Sequence, residues 1–195
     1  MSTLHLSSRN PDKLAAARIV AHSVTPAYKN VVGHDVPHVD TNRVERPGQP
    51  YTLEGTWRAA RLRHAQAKCE IGIKLCELLT FENGIVDGAD LATMCTEDAL
   101  TAAAEEFGVS VADVRGDVAA VLWESADMLP FWEQFHSGSH TTRALSTVRL
   151  FPAGLEATPE ALVAHFKERG EPRSAQLAAV AAQVGFANSG RLTWV

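Results

Sequence analysis

An α/β fold is the class this sequence predicts, on three observations. The chain opens with a short alternating run, a polar turn and an alanine-rich helical stretch. The alternation then repeats, an amphipathic stretch from Thr52 to about Lys68 leading into the apolar run Ile71 to Phe81. The 195 residues, 46% hydrophobic and 21% charged, match one soluble globular domain over residues 1–195, or a domain with an appendage. A chain of this length buries about 70% of its unfolded surface and needs no staples.

Taken in order, Thr3 to Ser7 reads as a strand. Asn10 then suits an N-cap and Pro11 a first helical position, with Leu14, Ala17 and Ala21 at helical spacing to about His22. Residues 24–50, rich in proline and valine, fit one or two short strands and a long turn. The run "LCELLTF" reads as a buried strand that stops at "ENGI", where Asn83-Gly84 supplies a turn. Residues 87–117 read as a helical insertion, with "TEDALTAAAEEFG" as a helix closed by Gly108. "DVAAVLWES" fits a strand or a continuing helix, and "TTRALSTVRLF" alternates as a strand. Pro159 to Lys167 is a helix capped by Thr158, and the tail offers one more helix and a terminal strand or hairpin.

A formal charge of −5 and a pI near 5.9 make nucleic acid an unlikely partner, because counterion release needs a clustered positive face. Three cysteines, Cys69, Cys76 and Cys95, are odd in number and lack zinc-site spacing, which fits reduced thiols in a cytoplasmic protein. No signal-like amino terminus and no apolar run of the roughly 18 residues a bilayer needs are present, so no membrane is expected.

The candidate chemistry begins at "SSRNPDK". Ser8, Arg9, Asn10 and Lys13 crowd one strand-to-helix turn, where their donors and the first helix amides suit phosphate oxygens. The glycines of a Walker loop are missing, and an ordinary capped helix with polar neighbours is the plainer alternative. In the second helix Glu54, Arg61 and His64 fall near whole turns and would share a face, either as a site or as a solvated amphipathic surface, while Trp57 and Ala60 pack inward. Glu82 ends an apolar strand, where a carboxylate is costly unless paired or bound to a cation. Glu54 and Glu82 together suit one Mg²⁺ that keeps waters and touches substrate phosphates.

These segments in this order resemble the inosine/xanthosine triphosphatase family, phosphatases that remove non-standard purine nucleotides. The family pattern of a strand followed by T-x-N-P-x-K appears here as "SRNPDK", with Arg9 in place of the threonine. Its Q-P-x-x-x-E-x-T-x-x-x-A-R-x-R helix start appears as "QPYTLEGTWRAARLR", and its E-x-G-I strand end as "ENGI". The match covers the first 85 residues and returns faintly in "STVRLFP" and "GFANSGRLT". The resemblance implies an elongated mixed sheet with flanking helices, two lobes around a nucleotide cleft, and a homodimer. It also implies hydrolysis of the phosphate chain of a purine nucleoside triphosphate such as ITP, XTP or their deoxy forms, with Mg²⁺ or Mn²⁺. Catalysis would fall to Glu82, Glu54 and Lys13, metal binding to Glu54 and Glu82, and phosphate binding to Ser8, Arg9, Asn10, Lys13 and Arg61.

Another class of function is a diverged nucleotide-fold binding protein without turnover, using the inserted helices for a protein or nucleic-acid partner. "LTAAAEEFGVSVADVRGDV" reads like a helix-turn-helix whose second helix would present Ser110, Asp113, Arg115 and Asp117, a set poor in the cations phosphate contacts demand, or like a packing helical hairpin. His34 and His38 around Pro37, and "HSGSH" at His136 to His140, are weaker metal candidates, the second more plainly a loop.

Overall fold

The computed structural model describes residues 2–23, 28–36, 50–71, 77–124, 148–157 and 159–188. These form a mixed α/β structure with one five-stranded sheet. In chain order they give β1 (Ser2–Leu6), α1 (Pro11–Ser23), β2 (Tyr28–Gly33), α2 (Leu53–Ile71), β3 (Glu77–Val86), α3 (Gly88–Met94) and α4 (Glu97–Phe107). There follow β4 (Val114–Glu124), β5 (Arg149–Pro152), α5 (Pro159–Glu168) and α6 (Arg173–Asn188). The sheet order is β2-β1-β3-β4-β5, parallel from β2 through β3 and antiparallel from β3 through β5.

Local chemistry sets several boundaries. Asn10 Oδ1 accepts the Asp12 and Lys13 amides at 3.0 and 3.2 Å, and Pro11 follows at the position where a missing N–H costs nothing. Thr96 caps α4 through the Ala99 amide, and Gly108 closes it at φ 66°. Leu4 and Leu6 of β1, Ala17, Val20 and Ala21 of α1, and Leu177, Val180 and Ala181 of α6 build the main core against Phe81 and Val121. Helix α1 packs on α6 over one face of the sheet. Helix α2 lies on the other, with Thr56 at Gly84, Arg63 at Glu82 and His64 at Thr80.

Two expectations are corrected. Asn83-Gly84 is no turn: β3 runs through it, Asn83 paired with Ala119, Gly84 with Val118, and the ladder continuing to Val86 opposite Gly116. The glycine serves close approach, since a Cβ at Gly84 would lie 1.7 Å from Thr56 Oγ1. The second helix of the helix-turn-helix reading is also absent. Val111–Asp113 makes a single 3₁₀ turn and Val114 starts β4, an almost continuously buried run whose valines favour a strand, so Arg115 and Asp117 are strand residues. Thr158, His38, His136, His140, Cys76 and the tail beyond Asn188 lie outside the described residues.

The topology makes a crevice. The chain leaves β1 through α1 to reach β2 on one side, then crosses by α2 to β3 on the other, so the carboxyl end of β1 is the point where strand order reverses. Strand β1 stops at Leu6, with the Ser7 amide donating to Leu79 O, while β3 runs on to Val86. Farther along that edge of β3, Ile85 exchanges bonds with Pro50 O and the Thr52 amide. The sheet is open between these two contacts.

Candidate functional site

The loop after β1 lies at this opening. Ser7 and Ser8 are buried, Arg9 and Asn10 exposed. Ser8 Oγ accepts the Asn10 amide at 3.1 Å, which curls the chain into α1. Because Asn10 Oδ1 is occupied with capping, its Nδ2 remains the donor available to a ligand. Ser7 Oγ is buried with no hydrogen-bond partner among the described residues. Gly33 at the end of β2 presses on the same loop, where a Cβ would meet Ser8 O at 2.6 Å.

Lys13 bridges the opening. Its Nζ donates to Phe81 O at 2.7 Å, a carbonyl left unpaired where β1 ends, and lies 3.7 Å from Glu82 Oε1. Arg63 Nε holds the other oxygen, Glu82 Oε2, at 2.6 Å. The three are 7%, 3% and 5% exposed for Lys13, Arg63 and Glu82. Burial pushes the Lys13 ammonium down to about 8; Glu82 opposes that fall, while Arg63 and Arg173 add to it. Two buried cations thus share one carboxylate, with a third cation acting on Lys13 from the first residue of α6. The Arg173 Nε is itself buried without a hydrogen-bond partner among the described residues. Such a cluster carries surplus positive charge away from water, a cost an anionic guest would offset.

Of the residues expected from sequence, the structure gathers Ser8, Asn10, Lys13 and Glu82. Arg9 is exposed beside them, and its charge acts on His34. Glu54 and Arg61 are exposed on α2, with no hydrogen bond or ion pair among the described residues. His64 does not share a face with them, because it turns to the sheet. Trp57 and Ala60 pack inward as expected. Arg63 takes the place at Glu82, and it was legible: Thr56, Ala59, Ala60, Arg63 and Ala67 form the small-residue stripe that α2 buries. Arg173 had no such local signal.

Because Glu82 already answers two buried cations, a divalent cation would fit this donor set only together with a substrate phosphate that brings its own negative charge. Glu82 Oε1 takes no hydrogen bond among the described residues, and its Lys13 contact is long. No group of three or more His, Cys, Asp or Glu gathers among the described residues. Mg²⁺ does not require one, because it uses one or two carboxylates and completes its shell with water and substrate phosphate. At the entry to α2, Thr52 adopts φ 67°, a strained value for a β-branched residue. The strain is held by Thr52 Oγ1 accepting the Gly55 amide and Thr52 O accepting the Thr56 amide and hydroxyl.

A second polar chain, His64 Nδ1 to Thr80 Oγ1 and Nε2 to Glu124 Oε2, both at 2.9 Å, has the connectivity of a hydrolytic triad. Thr80 is fully buried, so no substrate reaches its hydroxyl, and the chain serves to satisfy it. The His64 hydrogen bond, with help from Lys68, holds the Glu124 carboxyl down at about 2.

Beside the carboxyl end of β3 a cavity of about 540 Å³ opens between α4, β5 and the α5–α6 turn. Its polar wall is Arg149, held by Asp117 and stacked 3.8 Å over Phe166, together with Gln176. Burial raises the Asp117 carboxyl, against the pull of Arg149. Gln176 also contacts the side chain of Asn83, the neighbour of Glu82, and so connects cavity and crevice.

No protein-family model and no curated protein matches the chain. Among the described residues, no helix is long and apolar enough to cross a membrane. Among solved structures, protein VC0702 from Vibrio cholerae is similar over 98% of both chains, with a TM-score of 0.55 and 17% identity. A likeness at that identity carries the α/β fold and leaves function to be argued from the site.

Proposed function

We propose that the chain is a metal-dependent hydrolase of the phosphate chain of non-standard purine nucleoside triphosphates, such as ITP, XTP or their deoxy forms. The observation that carries this reading is the buried Lys13–Glu82–Arg63 cluster at the sheet opening, overlooked by the amides of α1. Surplus buried positive charge at a strand-order reversal is a place built for an anion.

In this reading the phosphates lie along Ser8, Asn10 Nδ2 and Lys13, with Arg173 neutralising charge from the α6 side and the exposed Arg9 and Arg61 adding to the field at the mouth. The nucleoside extends into the cavity beyond Gln176. The α3–α4 excursion and the sheet would then be the two lobes that the resemblance implies. Glu82 would orient the attacking water and accept its proton, and Arg63 would hold that carboxylate in place through Oε2. Mg²⁺ or Mn²⁺ would be held by Glu82 Oε1 and Glu54; when bound, it polarises a phosphoryl oxygen and lowers the pKa of its water. The protein's share is electrostatic and positional, as in other phosphoryl transfers.

The test is phosphate and pyrophosphate release from a panel of ribo- and deoxyribonucleoside triphosphates, with and without Mg²⁺. The expected outcome is metal-dependent release that is largest for inosine and xanthosine forms. Silence across the panel from folded protein overturns the reading.

A further inference from the structure

We infer that His5 and His34 form a binding site for a divalent transition-metal ion of the kind imidazole favours, Zn²⁺, Ni²⁺ or Cu²⁺, between the ends of β1 and β2. Along the chain His34 stands near His38, but in the fold its partner is on the neighbouring strand. His5 Nδ1 and His34 Nε2 lie 2.8 Å apart. The two rings are 26° from parallel, with centroids 5.0 Å apart. Rings laid face to face at that separation could not bring two nitrogens to 2.8 Å, so the rings meet edge to edge. Their in-plane lone-pair directions therefore converge on one point, the place of a single proton that one imidazole donates and the other accepts.

The backbone fixes both rings. His5 lies in the ladder opposite Val32, and the bond from His34 N to Leu6 O, at 2.8 Å, carries the pairing one residue past the end of β2. Val36 N then donates to His34 O at 3.1 Å and turns the chain there. Leu78, the β3 residue opposite His5, packs with Val36 and with Ala67 of α2 to make an apolar floor. Both histidines are half-buried, so water reaches the pair from the open side. An apolar floor with one wet face holds ligands in place and still admits the ion.

The chemistry of the pair suits a metal. Burial lowers both imidazoles, and His5 and Arg9 lower His34 further, so at neutral pH neither ring carries the second proton that would repel a cation. Zn–N bonds of about 2.0–2.1 Å at a tetrahedral angle set two nitrogens about 3.3 Å apart, so the pair parts by about half an ångström as the rings tilt. The shared proton moves to the outer nitrogen of the ring that held it, and no net proton is released. That tautomer is accessible because the outer nitrogens, His5 Nε2 and His34 Nδ1, take no hydrogen bond among the described residues. No third His, Cys, Asp or Glu gathers with the pair among the described residues, and water fills the remaining positions. Mg²⁺ prefers oxygen ligands, so this site differs in chemistry from the one at Glu82 and stands whether or not the chain is a hydrolase.

The test is calorimetric titration of ZnCl₂ at pH 7.5 into the wild-type chain, His5→Gln, His34→Gln and His22→Gln, the last an exposed histidine on α1, with a melt of each to establish folding. Each of the first two substitutions should weaken one Zn²⁺ site by at least about tenfold, since removing a group that merely supports a ligand already costs that much. His22→Gln should bind as the wild type does. In parallel, electron paramagnetic resonance of the wild type with one equivalent of Cu²⁺ should show two nitrogen ligands. A wild type that takes up no Zn²⁺, or a Cu²⁺ spectrum with fewer than two nitrogens, overturns the inference whatever the variants do. Binding that survives either His5→Gln or His34→Gln overturns it as well, because a site made by the pair needs both rings.

Discussion

Gly84→Ala tests how the sheet and the helix that carries Arg63 are locked together. The new Cβ would sit 1.7 Å from Thr56 Oγ1, 2.8 Å from its Cβ and 2.9 Å from its Cγ2. Rotating the threonine does not clear its own Cβ, and its hydroxyl is already committed to Thr52 O at 2.8 Å. Strand β3 is held by β4 along its whole length, so α2 has to move away from it. Overpacking of a core costs about 1–3 kcal/mol, and a clash with no soft atom to yield belongs at the top of that range or above it. Urea unfolding should therefore show a midpoint lower by about 1–2 M, taking a slope of about 2 kcal/mol per molar. Thr56→Gly removes the obstruction, at a cost of about 2 kcal/mol for helix propensity and a lost hydroxyl bond. Combining the two should cost little more than Thr56→Gly alone, a coupling of at least about 2 kcal/mol. If the two costs simply add, or Gly84→Ala costs less than about 0.5 kcal/mol, the close-approach account is wrong.

Three further outcomes follow from the site and its surroundings. Corrected for the titration of the ligand itself, pyrophosphate affinity should hold constant below about pH 7 and fall as pH rises through about 8, because Lys13 loses its proton there in the free protein and an anion holds it on. Titration calorimetry across pH 6–10 checks this, and Lys13→Met should leave only the pH dependence that pyrophosphate's own deprotonations bring. Arg63→Ala should cost about 3–5 kcal/mol in denaturant unfolding by stripping a buried carboxylate of its closest partner, whereas Arg61→Ala should stay within about 0.5 kcal/mol. The Glu124 carboxyl is depressed on folding to about 2, so its stabilisation is complete above about pH 4.5 and disappears as pH falls toward 2. Glu124→Gln should cost about 1 kcal/mol at pH 7, a figure reduced for partial exposure, and nothing in melts near pH 2.

What the sequence showed is what neighbours in the chain decide. Asn10 and Pro11 start α1, and Thr96 and Gly108 bound α4, because capping is settled within four residues. The polar turn after β1 reads as an anion site for the same reason. Gly84 misled because its requirement comes from Thr56, on another element, while an Asn-Gly pair in isolation speaks for a turn. The helix-turn-helix reading failed where sheet pairing overrode a helical pattern at Val114. Arg61 and Arg63 are both two-residue neighbours of the same motif, and only the buried stripe of α2 tells them apart. Arg173 stands more than one hundred residues beyond Lys13, and no periodicity joins them. The cavity at Gln176 depends on α4, β5 and α6 meeting, which no single segment encodes.

The most direct test of the central claim is single-turnover hydrolysis of inosine triphosphate by the wild-type chain and by Glu82→Gln, with Mg²⁺, alongside a thermal melt of each. The account predicts a fall in the hydrolysis rate of about a thousandfold or more in a protein that still folds but melts lower, because Glu82 is placed to take the proton of the attacking water and its loss strands Lys13 and Arg63. A folded Glu82→Gln protein that turns over within tenfold of the wild type would contradict it.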